Sequence, residues 1–219
     1  MGEQGGETMN AGRTDVVETG VEVIDRKLGG GIPRGAVVAL SATAASQSEL
    51  FLYEFVETRE TVYLSTVRAP ETVETTLAER GVDLGGVEVV GADPDAPLDH
   101  AREVIDGLPA ETNLVVDPVS VLEATGDGYR AFVADLRQRT GEGGNVALLH
   151  CLRDGTTPGH RRETVHVADL VFDLSTELDG QSVVNRLTVP KFRSGQSVDE
   201  VLKLDLTSEV EVDRSRNIV

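Results

Sequence analysis

Apolar, β-branched runs alternate with segments of helical periodicity along the first two thirds of the chain. The runs lie at Val37–Ser41, Thr61–Ser65, Val87–Val90, Asn113–Asp117 and Asn145–Leu152. Between them, apolar residues recur at steps of three and four, as in Leu98, Ala101, Ile105 and Leu108, and again in Tyr129, Phe132, Val133 and Leu136. This alternation predicts an α/β fold with a mainly parallel central sheet and helices on both faces.

The pattern changes after Cys151. Strand-like runs at Ala168–Leu174, Ser182–Pro190 and Val201–Val212 are separated by short turns such as Leu178–Gln181, which is typical of antiparallel hairpins. We therefore expect a C-terminal antiparallel β extension on the α/β core. Residues 15–213 are predicted to form a single domain, preceded by a disordered leader at 1–14 and followed by a flexible tail at 214–219.

The stretch GGGIPRGAVVALSATAASQSELFLYEF, residues 29–55, has the layout of a phosphate-binding loop. An apolar strand passes through a turn of small residues directly into an apolar-faced helix, as in loops of the form G-x-x-x-x-G-K-[ST]. The turn that aligns with this motif consists of Ala42, Thr43, Ala44, Ala45, Ser46, Gln47, Ser48 and Glu49. None of the four signature positions keeps its glycine, lysine or Ser/Thr.

Charge composition bears on the environment of the protein. The chain has 38 acidic and 20 basic residues, and its net charge is −18. This excess predicts a protein of a high-salt cytoplasm, as in halophilic archaea, because concentrated salt screens the repulsion between surface carboxylates. The alternative is an acidic protein that avoids nucleic acid. The single cysteine, Cys151, fits a reducing cytoplasm, and no apolar run is long enough to cross a membrane.

Three motifs in this order resemble the KaiC/RadA branch of the RecA-like ATPases. They are the lead-in TGVEVIDRKLGGGIPRGAVVAL at 19–40, the strand TNLVVDPVSVL at 112–122, and LTVPKFRSGQ at 187–196. The resemblance covers residues 19–207 and implies a RecA-like P-loop NTPase fold, with ATP and Mg²⁺ as the family's ligands. It implies that Asp117 occupies the magnesium-associated Walker B position, although without a P-loop the favoured interpretation of Asp117 is a structural one. It also implies that Lys191 and Arg193 match a Lys-x-Arg segment that can reach the nucleotide of a neighbouring subunit.

The sequence departs from that family where the family does its chemistry. Glycines in a P-loop let backbone N–H groups surround the phosphates, and the lysine neutralises their charge. Glu49 instead brings a negative charge toward the phosphate position, a repulsion on the order of several kcal/mol in a partly dry pocket. The family's general base lies after the second strand, where this chain has Val67 and Arg68. Neither side chain can accept a proton.

The replacement turn has a local interpretation of its own. Ser46 and Glu49 match the S-x-x-E pattern of a capping box ahead of an apolar helical run. We therefore expect these two side chains to satisfy the N–H groups at the helix start, which would stabilise the helix by about 1 kcal/mol without a ligand.

Several cationic side chains remain as candidate contacts. Lys191 and Arg193 lie two residues apart on a strand, so they either pair with the acidic surface or reach a partner subunit. Arg153, Arg161 and Arg162 lie in or beside the loop at 152–164, which either faces a protein partner, the favoured interpretation, or contacts nucleic acid. His150 and Cys151 are interpreted as core residues, and no metal site is expected because His160 and His166 lack metal-ligand spacing.

These observations favour a non-hydrolysing pseudo-ATPase that acts as a regulatory or assembly module in the cytoplasm. Its expected partner is a protein, either a second copy or a relative of the same family, and no cofactor is expected, although weak ATP and Mg²⁺ binding is the alternative. Two other functions stay open: a weak or partner-activated ATPase, and a recombinase relative that contacts DNA.

Overall fold

The computed structural model describes residues 15–153, 155–180, 182–195, 198–206 and 210–212. The predicted leader at 1–14 and tail at 214–219 lie outside these ranges. The elements follow in this order: β1 (Val16–Val17), α1 (Glu22–Leu28), β2 (Ile32–Pro33), β3 (Val37–Ala42), α2 (Glu49–Val56), β4 (Thr61–Ser65), α3 (Pro70–Glu79), β5 (Val87–Gly91), α4 (Pro97–Asp106), β6 (Asn113–Asp117), α5 (Ser120–Glu123), α6 (Tyr129–Gly143), β7 (Val146–Leu152), α7 (Arg161–Val167), β8 (Leu170–Asp179), β9 (Ser182–Phe192), β10 (Val198–Leu206) and β11 (Val210–Val212).

Nine of the strands in the described ranges form one sheet in the order β11-β10-β9-β8-β3-β7-β6-β4-β5. The strands from β8 to β5 in this order pair in parallel, and β8, β9, β10 and β11 pair antiparallel. The α/β fold, its mainly parallel sheet and its C-terminal antiparallel extension are confirmed.

One predicted strand is two strands. The run at Val201–Val212 contains the end of β10 and then β11, which fold back on each other and pair Leu206 with Val210. The polar residues Thr207, Ser208 and Glu209 lie between them in the sequence and interrupt the apolar pattern. The expectation of one continuous strand was therefore wrong.

The central strands β3, β4, β6 and β7 are buried on both faces, as their apolar sequences require. On β3, Val38 and Leu40 join a cluster that includes Phe55 of α2, and Val37 and Ala39 join a second cluster that includes Phe132 of α6. Successive strand residues point to opposite faces, so one strand supplies both layers. Fully burying a side chain such as Phe55 contributes about 1.5–3 kcal/mol.

The glycine-rich lead-in positions the first core strand. Gly29 ends α1 in the left-handed conformation with φ 82°, and its N–H bonds back to the helix. At Gly31, with φ 136°, an added Cβ would lie 2.4 Å from the carbonyl oxygen of Val17. Both positions therefore need glycine, and the chain reverses here to pair β1 with β2 before it enters β3.

Candidate functional site

The carboxyl ends of the parallel strands bring two parts of the predicted site, Asp117 and the turn after β3, to one edge of the sheet. Ser65 pairs with Asp117 between β4 and β6, and Val116 pairs with Leu149 between β6 and β7. His150, the next residue on β7, therefore lies beside Asp117. The turn between β3 and α2 lies at the same edge.

Asp117 accepts hydrogen bonds on both carboxylate oxygens. Its Oδ1 lies 2.6 Å from Nδ1 of His150. Its Oδ2 accepts from the hydroxyl of Tyr63 at 2.5 Å and from Nη2 of Arg68 at 2.6 Å. The Asp117 side chain is only 5% exposed, so water contributes little to its environment. A buried carboxylate in a protein is stable when it is paired and hydrogen-bonded, as it is here.

Ser48 extends this network on the other side of the imidazole. Its Oγ lies 2.9 Å from Nε2 of His150, and Ser48 and His150 are each 1% exposed. When Nδ1 of His150 donates to Asp117, Nε2 is left as the acceptor for the Ser48 hydroxyl. The three side chains thus form a continuous chain of hydrogen bonds from serine through histidine to aspartate.

Arg68 closes the other end of the network. Its Nη2 also lies 3.0 Å from the Tyr63 hydroxyl, and its Nη1 donates to the Tyr53 hydroxyl at 3.2 Å. The Arg68 side chain is 29% exposed and reaches inward from the segment after β4. A guanidinium therefore lies against the buried carboxylate of Asp117.

Electrostatics fix the protonation of the two buried acids in this network. Burial alone would raise the pKa of Asp117, but the hydrogen bond and charge of His150, with Tyr63 and Arg68, outweigh it and lower this pKa to about 2. Burial and then the adjacent Asp117 charge raise the pKa of Tyr63 well above its ordinary value. Asp117 is therefore ionised at neutral pH, and Tyr63 remains a neutral donor.

The predicted capping box does not form. Helix α2 begins at Glu49, its N-cap residue is Ser48, and the Ser48 side chain makes no capping bond. The Ser46 hydroxyl donates instead to the carbonyl oxygen of Thr43 at 2.6 Å. Backbone bonds from Leu50 to Gln47 and from Phe51 to Ser48 close the first turn, while His150 engages the Ser48 hydroxyl. The helix thus begins two residues later than a capping box at Ser46 requires.

The remaining residues of the aligned turn differ in exposure. Ala42 is buried as the last residue of β3, Ala44, Ala45 and Gln47 are exposed, and Thr43 and Glu49 are half-buried. Exposed residues of this turn therefore alternate with the buried Ser46 and Ser48.

Lys191 and Arg193 bind their own chain at the end of α7. Lys191 Nζ donates to the carbonyl oxygens of Val165 at 2.8 Å and His166 at 3.0 Å, and Arg193 Nη2 donates to His166 at 2.9 Å. Cations at the last carbonyls of a helix stabilise it. A contact of this pair with a partner subunit stays a prediction.

The structure separates the three arginines near the 152–164 loop. Arg161 is buried and its Nη2 lies 2.7 Å from Oε2 of Glu123, which is itself buried. Arg153 binds Asp173 at 2.6 Å and donates to the carbonyl oxygen of Leu174. Arg162 is exposed. The sequence does not distinguish these three environments, because the partners come from α5 and β8.

Sequence reasoning missed the role of three residues. His150 was expected in the core; it is buried, but in the polar network rather than among apolar side chains. Tyr63 and Arg68 were not expected to bind Asp117. The sequence does carry one usable signal, since polar residues at the ends of neighbouring parallel strands converge at one edge.

Cys151 behaves as the sequence predicts. It is fully buried in the second apolar cluster, and burial raises the pKa of its thiol to about 12. Such a thiol is neutral and unreactive at ordinary pH.

Comparisons with known proteins identify a sequence family and a structure with a similar fold. Residues 16–219 match DUF7125, a family of unknown function. The chain belongs to this family. The DUF7125 chain is also similar to the crystal structure of a KaiC-like protein from the hyperthermophilic archaeon Pyrococcus horikoshii, with a TM-score of 0.75 and 17% identity over 91% of this chain and 99% of that one. The sequence matches none of the curated proteins.

At 17% identity the likeness concerns the fold. It confirms the prediction that this DUF7125 protein has a RecA-like fold of the KaiC type. Within the described ranges, no helix is both long and apolar enough to cross a membrane. In the same ranges, no group of three or more His, Cys, Asp or Glu side chains is arranged to hold a metal ion.

Proposed function

We propose that this DUF7125 protein is a non-hydrolysing pseudo-ATPase that acts as a regulatory or assembly module. The observation that carries the proposal is the set of partners around Asp117. Both oxygens of this carboxylate are engaged by His150, Tyr63 and Arg68 of the same chain. In the resembling ATPases the corresponding aspartate serves Mg²⁺ instead.

The charges at this edge oppose a magnesium–nucleotide complex. A Mg²⁺ ion that binds Asp117 must displace the Arg68 guanidinium or lie next to it, and cation beside cation is unfavourable. The turn offers no lysine to a phosphate, and Glu49 at its helix start adds a negative charge. Ser48 occupies the position of the P-loop lysine, and its hydroxyl is already bonded to His150.

The site also lacks a general base for ATP hydrolysis. A general base must accept a proton from the attacking water, and a guanidinium has no acceptor. Arg68, which follows β4 where the family carries its acid, instead neutralises the aspartate that would hold the metal. The site that would turn over ATP is thus closed by its own side chains.

Calorimetry with ATP and ADP tests this proposal. We expect no saturable heat at millimolar nucleotide with Mg²⁺ in molar potassium chloride, the salt that the acidic composition favours. A Glu49→Gln variant should give the same result, because the closed network and not one repulsive charge excludes the nucleotide. Saturable binding to the wild-type protein would overturn the proposal. Binding to the variant alone would show that the charge of Glu49, and not the closed network, excludes the nucleotide. A KaiC-like ATPase in the same buffer serves as the positive control.

The assembly part of the proposal concerns a protein partner in the cytoplasm, either a second copy or a relative of the same family. Its support is the resemblance to ring-forming ATPases, whose Lys-x-Arg segment Lys191 and Arg193 match in sequence. In a single chain both side chains bind carbonyl oxygens at the end of α7, so a neighbour would compete for them. Sedimentation velocity in molar salt, with and without a co-expressed relative, should show a species larger than one chain. A single monomeric boundary in every mixture would contradict this part alone.

A further inference from the structure

Ser48, His150 and Asp117 form a hydrogen-bonded series at the edge of the sheet where the family binds nucleotide. We propose that Ser48 is a nucleophile toward small carboxylic esters, with His150 as its general base and Asp117 as the residue that positions the imidazole. The proposal is independent of nucleotide binding, which the calorimetric experiment addresses separately.

The distances fit proton transfer along the relay. A nucleophile and its base lie within about 2.6–3.2 Å when the base can take the proton, and the base is in turn oriented by a third group. Ser48 Oγ lies 2.9 Å from Nε2 of His150, and Nδ1 of the same ring lies 2.6 Å from Oδ1 of Asp117. Neither contact must shorten for the first step.

The aspartate is held as an orienting group must be. Its second oxygen accepts from Tyr63 and Arg68, so the carboxylate cannot rotate away from the imidazole. An ionised Asp117 selects the tautomer with hydrogen on Nδ1 and stabilises the imidazolium that forms during reaction. The relay therefore has a defined donor, acceptor and counter-charge.

The serine is placed by a strand-to-helix turn at the carboxyl edge of a parallel sheet. Ser48 is the N-cap residue of α2, where the helix dipole favours a developing negative charge. Buried serines in an ordinary core donate to a nearby backbone carbonyl, as Ser46 does to Thr43. Ser48 is bonded to an imidazole supplied from β7 instead.

Burial limits the substrate. Ser48 is 1% exposed, and the exposed residues Ala44, Ala45 and Gln47 precede it in the turn. An ester reaches Oγ only when the chain around Ser48 moves, and a small, unbranched acyl group requires the least movement. The chemical class is thus a short-chain ester with a good leaving group.

The chemistry balances with water as the second reactant. Ser48 Oγ forms a bond to the ester carbonyl carbon while its proton passes to Nε2 of His150. The ester C–O bond then breaks, and the departing alkoxide takes that proton. Water attacks the acyl-serine in the same way, which releases the acid and restores the hydroxyl.

The experiment uses the full-length folded protein and p-nitrophenyl acetate in molar potassium chloride. We expect a burst of about one nitrophenolate per chain and one acetyl group on Ser48, identified by peptide mass spectrometry. Ser48→Ala should abolish both. His150→Gln should slow acetylation about 100-fold or more, which is the usual contribution of a general base.

Matched controls separate a nucleophile from a structural serine. Ser46→Ala removes a buried hydroxyl two positions away that has no histidine partner, and it should leave the burst unchanged. Asp117→Asn should lower the acetylation rate at saturating ester without changing the half-saturating concentration. The wild-type chain unfolded in urea should acetylate Ser48 at least about 100-fold more slowly, a comparison that needs no variant to fold.

The proposal is overturned if Ser48 of the folded wild-type protein stays unmodified. It is equally overturned if Ser48 reacts at the same rate in the unfolded chain, or in a His150→Gln protein whose thermal melt shows that it is folded. In each case the three side chains form a structural hydrogen-bond network and nothing more.

Discussion

Two buried carboxylates, Asp117 and Glu123, each bind an arginine, yet their surroundings differ. Asp117 binds Arg68 at 2.6 Å and Glu123 binds Arg161 at 2.7 Å. The other donors to Glu123 include the hydroxyl of Thr164, which does not titrate, whereas Asp117 also contacts the imidazole of His150. The Glu123 pair therefore joins α5 to α7, and the Asp117 pair belongs to a relay that can move a proton.

The largest expected effect is on the Glu123 side of this comparison. Arg161→Ala leaves a carboxylate that is 1% exposed without its counter-ion, so the free energy of unfolding should fall by about 3–5 kcal/mol. Urea unfolding in molar salt measures the change. The adjacent and exposed Arg162→Ala is the matched control and should stay within about 0.5 kcal/mol. An equal fall in the free energy of unfolding in the two variants would show that the Arg161–Glu123 pair does not stabilise the contact between α5 and α7.

The next effect concerns acid pH on the Asp117 side. The carboxyl has an ordinary pKa of 3.8, which the fold lowers to about 2. Its contribution of about 2 kcal/mol is therefore complete above about pH 5 and is lost as the pH falls toward 2. Asp117→Asn should remove this part of the acid dependence, as measured by urea unfolding between pH 5 and pH 2. The exposed Asp135→Asn should leave the wild-type slope in place. An unchanged slope in Asp117→Asn would mean that Asp117 does not carry this acid dependence.

The smallest effect distinguishes the observed helix start from the capping box that the sequence predicts. Ser48→Ala leaves the buried Nε2 of His150 without its hydroxyl and should cost about 1 kcal/mol of unfolding free energy. Ser46→Ala should cost only about 0.5 kcal/mol, because water can reach the carbonyl of Thr43 in this partly exposed turn. Thermal or urea unfolding of both variants gives the order. The reverse order would support Ser46 as the cap.

Local pattern was enough to predict the parallel part of the sheet. Thr61–Ser65 and Asn113–Asp117 have the same bounds as β4 and β6, because an apolar β-branched run between polar turns has few other stable placements. The prediction of one strand at Val201–Val212 failed because apolar and polar residues alternate on both sides of the hairpin, and that prediction does not treat the short polar break at 207–209 as a turn.

The candidate site was predictable only in part. The position of the β3–α2 turn and of Asp117 followed from the resemblance, but the bonds among Ser48, His150 and Arg68 depend on strand order. The sequence gives no indication that β6 lies between β4 and β7, and only that order puts His150 and Tyr63 on opposite sides of one carboxylate. The capping box failed because α2 begins at Glu49 with Ser48 as its N-cap, which leaves Ser46 bonded to Thr43 in the preceding turn.

The place of β3 in the sheet also has a consequence for how the chain is made. This strand lies between β7 and β8, which are far later in the sequence, so both of its neighbours are synthesised long after it. Until they emerge from the ribosome, the apolar residues at 37–40 have no strand to pair with, and such segments are prone to aggregate. A chain that stops before Leu170 cannot pair this strand on both edges. The first strand of the large sheet to be synthesised is thus among the last to have both of its neighbours.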